Sequence, residues 1–173
     1  MDDPASHLFW GLNEAGAIIV TGIVGVVLAL ITIISQRSIA ARQATIEYIQ
    51  RAEADNDLLL AKNMFNEIAR SEQGTGVWVN QPLTPEFRAI TSVLNQYEMV
   101  AIAIQRGTFD DVTYRRWYRT SVLRAWKAAC PFVLARRAKV DNDALWHEFE
   151  EMATWYRGGR VMPHRRFIWR RFF

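Results

Sequence analysis

Cysteine is almost absent from this 173-residue chain, since Cys130 is the only one. A lone cysteine excludes an intramolecular disulfide and any metal site built from several thiolates. It precedes a proline in an apolar stretch, and we interpret it as an inert core residue. The cysteine content is compatible with a reducing cytoplasm.

Signatures of catalysis are also missing. The sequence contains no glycine-rich phosphate loop and no serine, histidine and aspartate at recognisable spacing. Asp143, His147, Glu150 and Glu151 share a helix face, but the two-histidine spacing of a zinc hydrolase is absent, so we interpret them as a solvated charged face. We therefore predict a protein that is not an enzyme and has no catalytic residue, metal site or cofactor.

Lysine and arginine do not occur before Arg37, whereas residues 1–14 contain three acids. A secretory signal peptide needs a basic region ahead of its apolar core, so we do not expect cleavage. Arg42 and Arg51 also follow the apolar run. The positive-inside rule predicts an N-terminus outside the bacterial inner membrane and a C-terminal part in the cytoplasm.

The longest apolar run covers residues 15–34 and contains no charge. Twenty helical residues extend about 30 Å, which matches the hydrocarbon thickness of a bilayer. We predict an extracytoplasmic leader at 1–14 and a transmembrane helix at 15–35. Thr21, Gly25 and Ala29 recur every four residues, a pattern that lets another membrane helix approach closely.

Residues 36–159 are predicted to form a cytoplasmic helical domain of one small bundle. No glycine or proline occurs between residues 36 and 70, and no segment shows the alternation of a strand. Helix starts are predicted after Asp55, Thr84, Asp110 and Asp141, with Pro131 ending or kinking one helix. The predicted fold class is all-α, with one N-terminal transmembrane helix ahead of the bundle.

Glu98 falls on the apolar face of the helix that follows Thr84. A carboxylate there needs a partner. We predict a buried polar network of Asn95, Glu98, Arg115 and Arg119, in which Glu98 pairs with one of the two arginines.

The final segment, residues 160–173, combines arginine with bulky aromatic residues. Residues 157–173 hold six arginines and no acid, so residues 1–156 carry a net charge of −3 and no nucleic-acid partner is expected. Such a tail suits an anionic membrane surface, an acidic protein or single-stranded nucleic acid, of which we favour the membrane and then a protein. The predicted contact residues are Arg165, Arg166, Phe167, Trp169, Arg170, Arg171, Phe172 and Phe173.

A set of residues spread along the chain forms a pattern that is found in a known family. They are Arg42, Thr45, the run Leu94-Asn95-Gln96-Tyr97-Glu98, Gly107, Asp110, Trp126, Arg137, Phe149 and Glu150. In this pattern the chain resembles the bacterial and phage family called domain of unknown function 4760. The resemblance covers nearly the whole chain except the basic tail. It implies a helical cytoplasmic domain on a membrane anchor and supplies no activity.

Two functions remain open at this point. The first is an accessory, scaffold or adaptor subunit that binds the lipid bilayer and an integral membrane protein complex, or that forms a homo-oligomer. The second is a membrane-tethered sensor or defence effector that binds a small ligand in the polar flank around Asn95 and Glu98.

Overall fold

The computed structural model describes the backbone of residues 4–163 and the side chains of residue 16 and residues 18–163. The described residues are helical and contain no strand, as the sequence predicts. The helices are α1 (Pro4–Ala54), α2 (Asn56–Arg70), a 3₁₀ helix (Gly76–Asn80), α3 (Pro85–Gln105), α4 (Asp111–Val140) and α5 (His147–Arg157).

The chain divides into two compact units, residues 1–40 and residues 41–173. The first unit contains the N-terminal part of α1, whose side chains from Ile18 to Ala40 are all exposed. Within the described residues, α1 is the one helix long and apolar enough to cross a membrane, with a mean hydropathy of 2.8 in its most apolar window. Its apolar character follows from the uncharged run seen in the sequence.

Three helices of the second unit start at local caps, as predicted. The side chain of Asp55 accepts the backbone N–H of Leu58 at 3.1 Å. Asp110 accepts the N–H of Thr113 at 2.9 Å. Thr84 caps α3 in the same way, ahead of a proline at the first helical position. These caps act within three residues along the chain, which is why the sequence reveals them.

The core of the second unit lies where α3 meets the helices around it. Helix α3 packs against α2, α4 and α5. Aromatic side chains join these helices: the Tyr97 ring stacks on Phe149 with centroids 4.7 Å apart, and Trp126 meets Phe149 edge-on at 5.3 Å. Fully buried members of this core include Ile90, Leu94, Ile104, Tyr114, Val122, Phe132, Phe149, Met152 and Tyr156.

Pro131 lies inside α4, which continues to Val140. A proline removes one helical hydrogen bond but does not force a helix to end when the flanking turns are held by packing. Here the loop before α3 covers that turn. The Thr75 hydroxyl donates to the Ala128 carbonyl at 2.7 Å, and Gly76 packs against the proline ring.

The prediction that Asp141 caps the last helix is wrong. Asp141 ends α4 in a left-handed conformation, with φ of 51°, and α5 begins six residues later at His147. Aspartate adopts this conformation more readily than most residues. Asp141 therefore ends α4, although the sequence around it resembles the start of a helix.

Two buried contacts tie the ends of the second unit to the start of α4. Thr45, which has no exposed surface, accepts the backbone N–H of Asp110 at 2.8 Å. Met162 is 1% exposed, and its N–H donates to Asp111 at 3.1 Å. Packing therefore extends beyond residue 159, where we predicted the tail to begin.

Candidate functional site

Helix α5 has no N-terminal cap of its own. Trp146, the residue before it, has a φ of 53° and offers no side-chain hydrogen bond to the helix. Glu98 of α3 supplies the missing acceptor: its Oε2 accepts the N–H of Phe149 at 2.7 Å, and its Oε1 accepts the N–H of Glu148 at 3.3 Å. A carboxylate at this end also faces the positive pole of the helix dipole. Glu98 thus caps a helix about 50 residues further along the chain.

The predicted ion pair between Glu98 and an arginine is wrong. Arg119 Nε donates to the Tyr156 carbonyl at 3.1 Å, and Arg115 Nη1 donates to the Gly159 carbonyl at 2.9 Å. Both carbonyls lie at the C-terminal end of α5, where cations are favoured. The acid and the arginines therefore occupy opposite ends of one helix, which explains why they do not meet.

Asn95 completes this arrangement from an exposed position. Its Oδ1 accepts the indole N–H of Trp146 at 2.8 Å and so fixes the residue that enters α5. A positive φ costs a tryptophan conformational energy, and a residue keeps such a backbone conformation only where surrounding contacts stabilise it. The four residues predicted as one buried network thus make separate contacts. Glu98 binds the first turn of α5, Asn95 binds the residue before it, and the two arginines bind carbonyls at its C-terminal end. In the flank expected to bind a ligand, Asn95 and Glu98 both form hydrogen bonds within the protein.

Asp111 is the most deeply buried carboxylate of the described residues. Its side chain accepts the Tyr156 hydroxyl at 2.7 Å as well as the Met162 N–H. Burial raises the pKa of the Asp111 carboxyl above its ordinary 3.8, while these hydrogen bonds and the charge of Arg115 oppose the rise. Burial likewise raises the pKa of Glu98 above 4.5, against the opposing effect of its two backbone donors.

The charged face predicted on the last helix makes no metal site in the described part of the chain. His147 Nε2 lies 3.6 Å from Glu151. Glu150 instead accepts from Arg137 Nη1 at 2.8 Å, and Arg137 Nε donates to the Leu145 carbonyl. Arg137, Phe149 and Glu150, on which part of the family resemblance rests, therefore join α4 to α5.

A cavity with a volume of about 780 Å³ lies between α2 and α4, and we call it the α2–α4 cleft. Buried apolar and aromatic side chains form its floor, including Phe65, Val93 and Tyr97. Polar and charged side chains form its rim. They are Glu53, Lys62, Asn66, Arg70, Ser121, Arg124 and Lys127.

Sequence reasoning missed this cleft because its rim comes from helices separated by about 50 residues. The one local signal is the charge of α4, which holds eight arginines and lysines and a single acid, Asp111.

The predicted span residues Thr21, Gly25 and Ala29 are exposed on α1. The predicted contact residues of the tail, from Arg165 to Phe173, lie outside the described residues.

A family model described as Domain of unknown function (DUF4760) matches residues 19–156. The match confirms the resemblance inferred from the sequence, and it includes the apolar helix as well as α2 to α5. No curated protein and no solved structure matches the chain.

Replacing Glu98 by alanine should lower the free energy of unfolding by about 1–3 kcal/mol, because two backbone donors at the start of α5 lose a charged acceptor. A buried ion pair would predict a larger loss, about 3–5 kcal/mol. Urea unfolding of the full chain in non-ionic detergent, followed by circular dichroism, measures the change. The exposed Glu67→Ala is the control, and equal stability of both variants would contradict the cap.

Replacing Asp111 by asparagine should flatten the dependence of stability on pH. The raised pKa means that the native state holds a proton more tightly than the unfolded chain does. The free energy of unfolding therefore falls as pH rises from the ordinary value, 3.8, through the raised native value. Asp111→Asn cannot titrate and should show a shallower fall as pH rises above the ordinary value. The exposed Asp143→Asn is the control for removing a surface charge, and identical slopes in all three proteins would refute the assignment.

Proposed function

The chain belongs to the DUF4760 family, and we propose that it is a non-enzymatic accessory subunit, anchored in the bacterial inner membrane by α1, of a larger membrane protein complex. One observation carries this proposal: the apolar part of α1 is not buried by any other described residue. Its side chains are exposed from Ile18 onward, and its most apolar window is 0% buried. Such a surface requires lipid or another membrane helix around it.

The face of α1 that carries Thr21, Gly25 and Ala29 is the proposed contact for a partner helix. Beyond the adjacent residues and the nearby backbone of α1 itself, no described atom lies within 4 Å of the position that a Cβ of Gly25 would occupy. Without large side chains, two helix backbones approach closely and gain van der Waals contact. The partner is an integral membrane protein or a second copy of this chain.

The basic tail is the proposed second attachment point. The N–H of Met162 donates to Asp111 of α4, so the arginines and aromatics of the tail that follow Met162 begin from a buried residue of the domain. Arginine beside aromatic residues favours an anionic leaflet or an acidic partner. The tail therefore adds a contact in the cytoplasm to the contact made by the span.

The alternative, a membrane-tethered sensor or defence effector, is not supported at its expected site, because Asn95 and Glu98 both contact Trp146 or α5. A sensor would need another site.

The accessory role predicts that the protein leaves native membranes in a stoichiometric complex when extracted with mild detergent. Gly25→Leu should remove the partner, because the larger side chain separates the two helices while favouring the helix itself. Val27→Leu, on the opposite face of α1, is the matched control and should keep the partner. Elution of the wild type as a free single chain would contradict the proposal.

A chain that ends at Pro163 separates the two roles of the tail in the same extraction. Loss of the partner would assign the tail to protein docking. Retention, together with weaker binding of the purified chain to anionic liposomes, would assign it to lipid. We cut after Pro163 because an earlier end would remove Met162 from the core.

The proposed orientation predicts that the N-terminus faces the outside of the cell. It is supported by the acids before the span and by Arg37, Arg42 and Arg51 after it. In a Cys130→Ser background, Ser6→Cys should react with a membrane-impermeant thiol reagent in intact cells, and Gly158→Cys should react only after the cells are opened. The reverse pattern would show the opposite orientation.

A further inference from the structure

The α2–α4 cleft has the size of a ligand site. Its volume of about 780 Å³ falls within the range of roughly 300–1,000 Å³ that is typical of small-molecule pockets. An apolar floor with a polar rim is the usual construction of such sites. Here the floor is buried, with Phe65, Val93 and Tyr97 between 2% and 7% exposed.

Positive charge dominates the rim. Lys62 and Arg70 project from α2, and Arg124 and Lys127 from α4, whereas Glu53 is the one carboxylate in the lining. Arg70, Arg124 and Lys127 have no ion-pair partner among residues 18–163. Like charges that converge on one cavity repel each other and raise the local concentration of anions. An anionic ligand would relieve this repulsion.

The single carboxylate offsets only part of the positive charge of the rim, because Glu53 stands against Lys62, Arg70, Arg124 and Lys127. Glu53 accepts a hydrogen bond from the Tyr118 hydroxyl, and the Lys62 ammonium lies 5.6 Å from the centre of the Tyr118 ring. Helix α4 supplies no acid near Arg124 or Lys127, since Asp111 lies more than three turns away. The arginine-rich tail has the same charge as the rim and is therefore excluded as an occupant.

The rim also offers neutral hydrogen-bonding groups. The Ser121 hydroxyl and the Asn66 amide line the cleft from α4 and α2, beside the charged side chains. Guanidinium, ammonium, hydroxyl and amide donors together match phosphate oxygens. The aromatic and apolar floor matches a flat, weakly polar body.

From this arrangement we propose that the α2–α4 cleft binds a phosphorylated small molecule with an aromatic body, such as a nucleotide. The phosphates contact Arg70, Arg124 and Lys127, and the aromatic body lies on Val93 and Tyr97. This site is independent of the accessory role, because it uses only residues of the helical domain and would persist if no protein partner existed.

Isothermal titration calorimetry of the full chain in non-ionic detergent tests the site with ATP, pyrophosphate and adenosine. ATP should bind most tightly, pyrophosphate more weakly, and adenosine not measurably. Binding of ATP should weaken as salt is added, because the rim charges are exposed and therefore screened. Absence of binding by both ATP and pyrophosphate at low salt would overturn the proposal, as would equal binding of ATP and adenosine.

Charge-removing variants locate the binding. Arg124→Gln and Lys127→Gln should each weaken ATP binding about tenfold, since each loses a charge-assisted contact to phosphate. Both residues are exposed, so the fold should survive, and circular dichroism checks this. Arg116→Gln is the matched control, because Arg116 is exposed on α4 and does not line the cleft. An equal loss in the control would show general attraction between charges and would overturn the site.

Discussion

The capping of α5 by other helices is the interaction on which the helical domain depends. Helix α5 has only eleven residues, a length at which an isolated helix is barely stable in water. It has no cap of its own at its first turn, and Glu98 of α3 provides one. Arg115 and Arg119 of α4 bind the carbonyls at its other end. Contacts with α3 and α4 therefore hold both ends of this short helix.

This dependence accounts for the composition of the core. Once α5 is held at both ends, its buried side presents Phe149, Met152 and Tyr156 to α3 and α4 without exposed surface. Phe149 contacts Tyr97 on one helix and Trp126 on the other. Tyr156 finds its hydrogen-bond acceptor in Asp111 at the start of α4. Polar contacts thus fix the position of α5, and aromatic burial supplies most of the stabilisation.

Features that act over a few residues could be predicted from the sequence. The apolar length of α1, the caps at Asp55, Thr84 and Asp110, and the all-α class follow from patterns within one turn or one helix. The start of α5 could not be predicted, because its cap comes from Glu98. The sequence did identify Glu98 as a carboxylate in need of a partner, but it could not show that the partner is backbone. The α2–α4 cleft stayed hidden for the same reason, since its two sides meet only after folding.

The fixed position of Met162 limits where each residue of the tail can make a contact. Met162 is 1% exposed, and its N–H donates to Asp111 at the start of α4. Each residue of a fully extended chain adds at most about 3.6 Å. A contact made by Arg165 must therefore lie within about 11 Å of Met162, and one made by Arg171 within about 32 Å. The volume that an arginine can search thus grows with its distance along the chain from Met162, so the first arginines of the tail are restricted to surfaces next to the start of α4.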